Sequence, residues 1–123
     1  MTKQELTDRA ILVVEDEYWL ACEIKTRLSD AGARLVGPVG TLRDALEVAG
    51  HEPHIDAAIL DLNLHGEEVF PLADLLASRE VPFVFATGYD GWAIPERFAR
   101  TPRYAKPVEL DRVVAKVVQL VAS

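Results

Sequence analysis

Asp61 closes an apolar run, Ile55-Asp56-Ala57-Ala58-Ile59-Leu60-Asp61, and Glu15, Asp16 and Glu17 close another, Ala10-Ile11-Leu12-Val13-Val14. A carboxylate at the end of a buried strand needs a compensating partner, because a charge beside a dry core is heavily penalised. Two such strands side by side would bring three or four carboxylates together. Like charges about 5 Å apart repel by roughly 3 kcal/mol at an effective dielectric near 20. A divalent cation or a lysine ammonium removes that penalty. Mg²⁺ suits such a place, since it prefers near-octahedral oxygen ligands and keeps several waters. It also neutralises the charge that builds on a phosphoryl group in transfer.

The elements that must position these acids follow from apolar periodicity. The continuous run 10–14 predicts a strand buried on both faces. Leu20, Ala21, Ile24, Leu28 and Ala31 recur at helical spacing over 17–31, and Gly32 stops that helix. A short strand is expected at 34–39, then a helix capped by Thr41 and Asp44 with Leu42, Ala45, Leu46 and Ala49 on one face. The second buried strand covers 55–60. A third helix is expected over 67–79, with Pro71 tolerated near its start. A strand at 82–86 follows, then a weakly specified stretch, 89–100, that reads as a short or mobile helix. A brief strand at 102–105 and a Val-rich helix over 108–121 complete the chain. Strand and helix alternate five times, which predicts an α/β fold with a parallel sheet covered on both faces. The doubly wound, flavodoxin-like strand order 2-1-3-4-5 fits five units, and its functional crevice lies at the strands' carboxyl ends. Glu15, Asp16 and Asp61 fall there.

The chain has 123 residues, of which 50% are hydrophobic, enough for a single domain over 1–123 with its core at about 10–122 and a polar extension at 1–9. No stretch is apolar enough to span a membrane, and the polar start is not a signal peptide. A formal net charge of −7, with basic residues scattered, argues against direct binding of nucleic acid. The lone Cys22 excludes an internal disulfide and fits a reducing, cytoplasmic compartment. His51-Glu52-Pro53-His54 lacks the spacing and further ligands of a zinc site.

Four motifs fall in order at strand ends: Val14-Glu15-Asp16-Glu17, Leu60-Asp61-Leu62-Asn63-Leu64, Phe85-Ala86-Thr87-Gly88-Tyr89 and Lys106-Pro107. With them the chain resembles a response-regulator receiver domain of two-component signalling, from Ile11 to about Val121. The Phe-Ala-Thr-Gly-Tyr segment is similar to that of a branch often found as single-domain regulators in alphaproteobacteria. The resemblance implies that Asp61 accepts a phosphoryl group from a histidine kinase or phosphotransfer protein. It implies Mg²⁺ held by Glu15, Asp16, Asp61 and the backbone carbonyl of Asn63. Thr87 and Lys106 would contact the phosphoryl group, with Gly88, Tyr89, Tyr104 and Pro107 beside this switch and a cis bond at Lys106-Pro107. It further implies catalysis only of the domain's own phosphorylation and dephosphorylation, with output through a protein partner and, as in some receivers, a homodimer through the last helix and preceding strand. With no DNA-binding segment after Val121 in this sequence, output is expected through a protein partner or through phosphate buffering, and the chain could equally be a piece of a longer kinase or regulator.

The chain departs from the receiver pattern at two places. Arg103 stands three residues before Lys106, where many receivers carry an aromatic whose rotation reports phosphorylation; Tyr89 or Phe98 is the expected substitute, with Tyr104 on the opposite face of its strand. His65 stands four residues after Asp61, where many receivers have proline, and reads as a solvated loop residue. The acids after Val14 could merely complement a helix N-terminus, but Asp61 and Lys106 together favour a site. A pseudo-receiver that never turns over phosphate would lack a site residue, and none is missing. A phosphohydrolase with Asp61 as nucleophile would want an acid two residues on, where Asn63 stands.

Overall fold

Alternating apolar strands and amphipathic segments resolve into a five-stranded parallel sheet with helices on both faces. The computed structural model describes residues 4–87, 94–105 and 110–122, and of Thr87 the backbone only. The chain runs β1 (Ala10–Val14), α1 (Tyr18–Asp30), β2 (Arg34–Val39), α2 (Leu42–His51), β3 (Ala57–Asp61), β4 (Asn63–Leu64), β5 (Glu67–Glu68), α3 (Phe70–Ser78), β6 (Phe83–Thr87), a 3₁₀ turn at Glu96–Phe98, β7 (Arg103–Ala105) and α4 (Leu110–Val121). The large sheet has the order β2-β1-β3-β6-β7, which is 2-1-3-4-5 among its own five strands. β4 and β5 form a separate antiparallel hairpin. Among the described residues no helix is long and apolar enough to cross a membrane.

β1 and β3 are buried at every position, because each has a strand on either side and a helix layer on either face. Successive side chains alternate between those layers. Leu12, Val14, Ala58, Leu60 and Phe85 join the core under α2 and α3. Ile11, Val13, Ala57, Ile59 and Val84 join the core under α1 and α4. An ion pair between Arg27 and Asp111 links these last two helices at the surface. On the other face Phe70, Phe83, Phe85 and Phe98 form an aromatic cluster, with Phe70 and Phe98 stacked at 5.8 Å and Phe85 edge-on to both. Phe98 is thus held in the core.

Three other expectations change. The helix expected over 67–79 begins only at Phe70, because Glu67 and Glu68 pair with Leu64 and Asn63 across a two-residue turn. His65 and Gly66 both have positive φ, 53° and 90°, the requirement of a tight mirror-image hairpin turn that matches strand twist. Pro71 then lies in the first turn of α3, where its missing N–H has no helical partner to lose. The polar segment before β1 contributes to the core: Leu6 is fully buried, its N–H donates to the Ala31 carbonyl at 2.8 Å, and the Arg34 N–H donates to Arg9. The expected helix over 89–100 has only the 3₁₀ turn in its described part.

Candidate functional site

Sheet register brings the chemistry-bearing positions to one rim. Val14 pairs with Leu60, Leu60 with Phe85 and Asp61 with Ala86, so Glu15, Asp61 and Thr87 follow at nearly one level. Thr87 pairs with Ala105, the residue before Lys106. The Lys106 and Pro107 expectations, like those on Gly88 and Tyr89, lie outside the described residues, as does the side chain of Thr87.

A bulge at the end of β2 fixes Glu15. The β1–β2 register slips between Leu12 and Val14, leaving Gly37 and Pro38 without partners on β1. Gly37 has φ +94°, and a Cβ there would meet the Val13 carbonyl at 2.8 Å; only glycine allows this approach. The slip carries the Val39 carbonyl to the Glu15 N–H at 2.9 Å. Glu15 is buried, 4% exposed, and its Oε2 accepts from the Glu17 N–H at 3.0 Å as the chain enters α1.

Asp61 is the last residue of β3 and is 3% exposed. Its Oδ1 accepts from the Asn63 N–H at 3.1 Å. The Asn63 side chain in turn accepts from the Gly66 N–H at 2.7 Å, which ties the hairpin turn to the pocket. That turn aims the His65 N–H at Asp16 Oδ2, 3.1 Å away, with the His65 ring nitrogen Nδ1 at 3.6 Å from the same oxygen. His65 was expected as a solvated loop residue. Its ring is exposed, but its backbone is part of the acidic pocket. The His-Gly pair between short strands was the available signal for this turn.

Glu15, Asp16 and Asp61 each offer a carboxylate oxygen, all within 4.8 Å of one another. The Asp61 and Glu15 carboxyl groups lie close enough to the Asp16 side chain to act on its titration. Burial is the largest influence on Asp16 and pushes its carboxyl up. The hydrogen bonds from Asp61, the His65 backbone and Glu15, with the nearby His65 imidazole, outweigh it and hold Asp16 below the ordinary carboxylate value. A donor set of three clustered carboxylates matches a hard divalent cation, which offsets most of their charge. His51 and His54 go elsewhere: His51 Nδ1 is 2.8 Å from the Glu47 carbonyl, and His54 is paired with Asp56. Tyr104 packs against the α1–α4 core, 5.6 Å from the Arg112 guanidinium.

A doubly wound sheet with an acidic pocket beyond its first and third strands defines a class, and solved proteins share the fold. SdrG from Sphingomonas melonis Fr1 is 40% identical over the full length of both chains, with a TM-score of 0.78. The receiver domain of HemR from Leptospira biflexa has a TM-score of 0.77 at 24% identity, a likeness of fold. PhyR of Methylorubrum extorquens is 28% identical over 117 residues, 89% of this chain and 42% of that regulator. The chain spans about two fifths of the length of the curated relatives it matches. No family model matches it. The chain belongs to the response-regulator receiver family.

Proposed function

We propose that the protein is a phosphoacceptor switch of a two-component system, with Asp61 as acceptor. The observation that carries this reading is the gathering of Glu15, Asp16 and a 97% buried Asp61 within 4.8 Å at the sheet's rim. Support also comes from SdrG, for which a solution structure of the BeF₃-activated conformation is known, 38% identical to this chain over the full length of both. Beryllofluoride on a carboxylate stands in for a phosphoryl group.

In this reading an Asp61 carboxylate oxygen attacks the phosphorus of a phosphohistidine on a kinase or phosphotransfer protein. A P–O bond forms, the P–N bond breaks, and the departing imidazole takes up a proton. Mg²⁺ held by Glu15, Asp16, Asp61 and the Asn63 carbonyl would supply charge neutralisation for the phosphoryl oxygens. Asn63 keeps Asp61 oriented through its backbone N–H, which donates to Oδ1. Glu15 is pinned by the β2 bulge, so the anionic end of the pocket is set before a donor arrives. The Thr87 hydroxyl and the Lys106 ammonium are assigned to the bound phosphoryl oxygens. The added negative charge then draws these two inward and biases a two-state surface that a downstream protein reads. The domain acts on itself alone and works in the cytoplasm.

Incubation with acetyl phosphate and Mg²⁺, followed by intact-mass measurement, tests this. Wild type should gain one transient phosphoryl group; Asp61→Asn, or wild type with chelator, should gain none. Continuous release of phosphate without a phosphorylated species would point to a hydrolase, and no gain at all to an interaction module.

A further inference from the structure

The His65 ring stands beside Asp16 at the edge of the acidic pocket, and nothing in the proposed phosphoryl transfer uses it. The hairpin turn fixes its backbone to Asp16, and its Nδ1 lies 3.6 Å from Asp16 Oδ2. Two donors about 2.1 Å from one ion are about 3.0 Å apart at a right angle and about 3.4 Å apart at a tetrahedral angle. The observed separation is thus within a few tenths of an ångström of a chelating bite. The ring is 69% exposed and free to make that adjustment. A carboxylate oxygen has a second lone pair beside the one given to the His65 N–H, so Asp16 can bind a metal and keep its turn contact.

Resting on the reading of this pocket as the metal site, we propose that His65 supplies a nitrogen ligand to an ion held by Asp16, so that the pocket prefers first-row transition-metal ions to Mg²⁺. Imidazole binds such ions well, and affinity at mixed nitrogen and oxygen sites rises along the series from Mn²⁺ to Cu²⁺, with Zn²⁺ also tight. Mg²⁺ gains little from a nitrogen donor. His65 therefore acts as a selectivity residue, replacing one of the waters an all-oxygen site would keep.

Zn²⁺ alone is the probe. The chain has three histidines, and replacing His51 and His54 by alanine leaves His65 as the one imidazole. In that background, calorimetry should show Zn²⁺ bound more tightly than Mg²⁺. His65→Ala should weaken Zn²⁺ by about 10–100-fold and change Mg²⁺ by less than about threefold. Imidazole ¹⁵N shifts of His65 should move on Zn²⁺ addition, and Asp16→Asn should abolish that movement; this readout needs no His65 variant to fold. Unchanged Zn²⁺ affinity in His65→Ala overturns the proposal, as does a His65 shift that persists in Asp16→Asn. Phosphorylation of wild type by acetyl phosphate with Mg²⁺ is read separately. If it fails, the functional reading falls; if it succeeds without a His65 response to Zn²⁺, only the selectivity proposal falls.

Discussion

Replacing Asp61 with asparagine should stabilise the metal-free protein and abolish its stabilisation by Mg²⁺. Carboxylate oxygens within 4.8 Å of one another repel by at least about 3.5 kcal/mol per ionised pair at an effective dielectric of about 20. Three such pairs would amount to about 10 kcal/mol, comparable to a domain's whole stability. Water and the neighbouring hydrogen-bond donors therefore screen much of this repulsion when no cation is bound. Asparagine is isosteric and keeps an oxygen for the Asn63 N–H, while removing one acid from the cluster. The expected gain in metal-free buffer near pH 8 is about 1–3 kcal/mol, because solvent at the rim already screens part of the repulsion. That corresponds to a rise in Tm of roughly 4–12 °C for a chain of this size. In wild type, Mg²⁺ at about 100 times its Kd should add about 2.7 kcal/mol by mass action; in Asp61→Asn it should add far less. Denaturant melts with and without Mg²⁺ measure both. A destabilised Asp61→Asn, or equal Mg²⁺ stabilisation of the two proteins, would refute the reasoning.

Leu6→Ala should cost about 2–5 kcal/mol in urea unfolding, since the side chain is fully buried; a cost under about 0.5 kcal/mol, the range of surface substitutions, would return the segment to the solvent. Gly37→Ala should cost about 1–3 kcal/mol, from a positive φ and a 2.8 Å approach to the Val13 carbonyl, and should weaken Mg²⁺ binding by disturbing Glu15; calorimetry and unfolding together check it. The Asp16 carboxyl carbon, followed by NMR in metal-free protein, should titrate below 3.8. A depressed folded-state value means that Asp16 contributes stability above its unfolded value and loses it as pH falls through the lowered one. A midpoint above 3.8 would contradict the hydrogen-bond pattern.

Much of this was legible because burial on both faces leaves a strong trace. β1 and β3 are uninterrupted apolar runs, and in a parallel sheet such runs belong in the middle, which fixes where their terminal acids meet. Glu15, Asp16 and Asp61 follow from that alone. The hairpin was misread as helix because Glu67 and Glu68 are good helix formers, while the His-Gly turn that overrides them is a two-residue signal. Leu6 was missed because a single apolar residue in a polar stretch has no periodicity; its burial comes from contacts with the α1–β2 junction. The bulge that seats Glu15 depends on long-range register, which Gly37-Pro38 hints at but does not specify. His65 joined the pocket through that same turn, not through any helical or strand pattern.

The central claim is that Asp61, within its acid cluster, receives the phosphoryl group in a metal-dependent step. Borohydride reduction of the protein after acetyl phosphate treatment, followed by peptide mapping, locates the acceptor directly. The account predicts a reduced residue at position 61, present with Mg²⁺ and lost with chelator. Labelling at another residue, or labelling at position 61 that persists without a divalent cation, would contradict it.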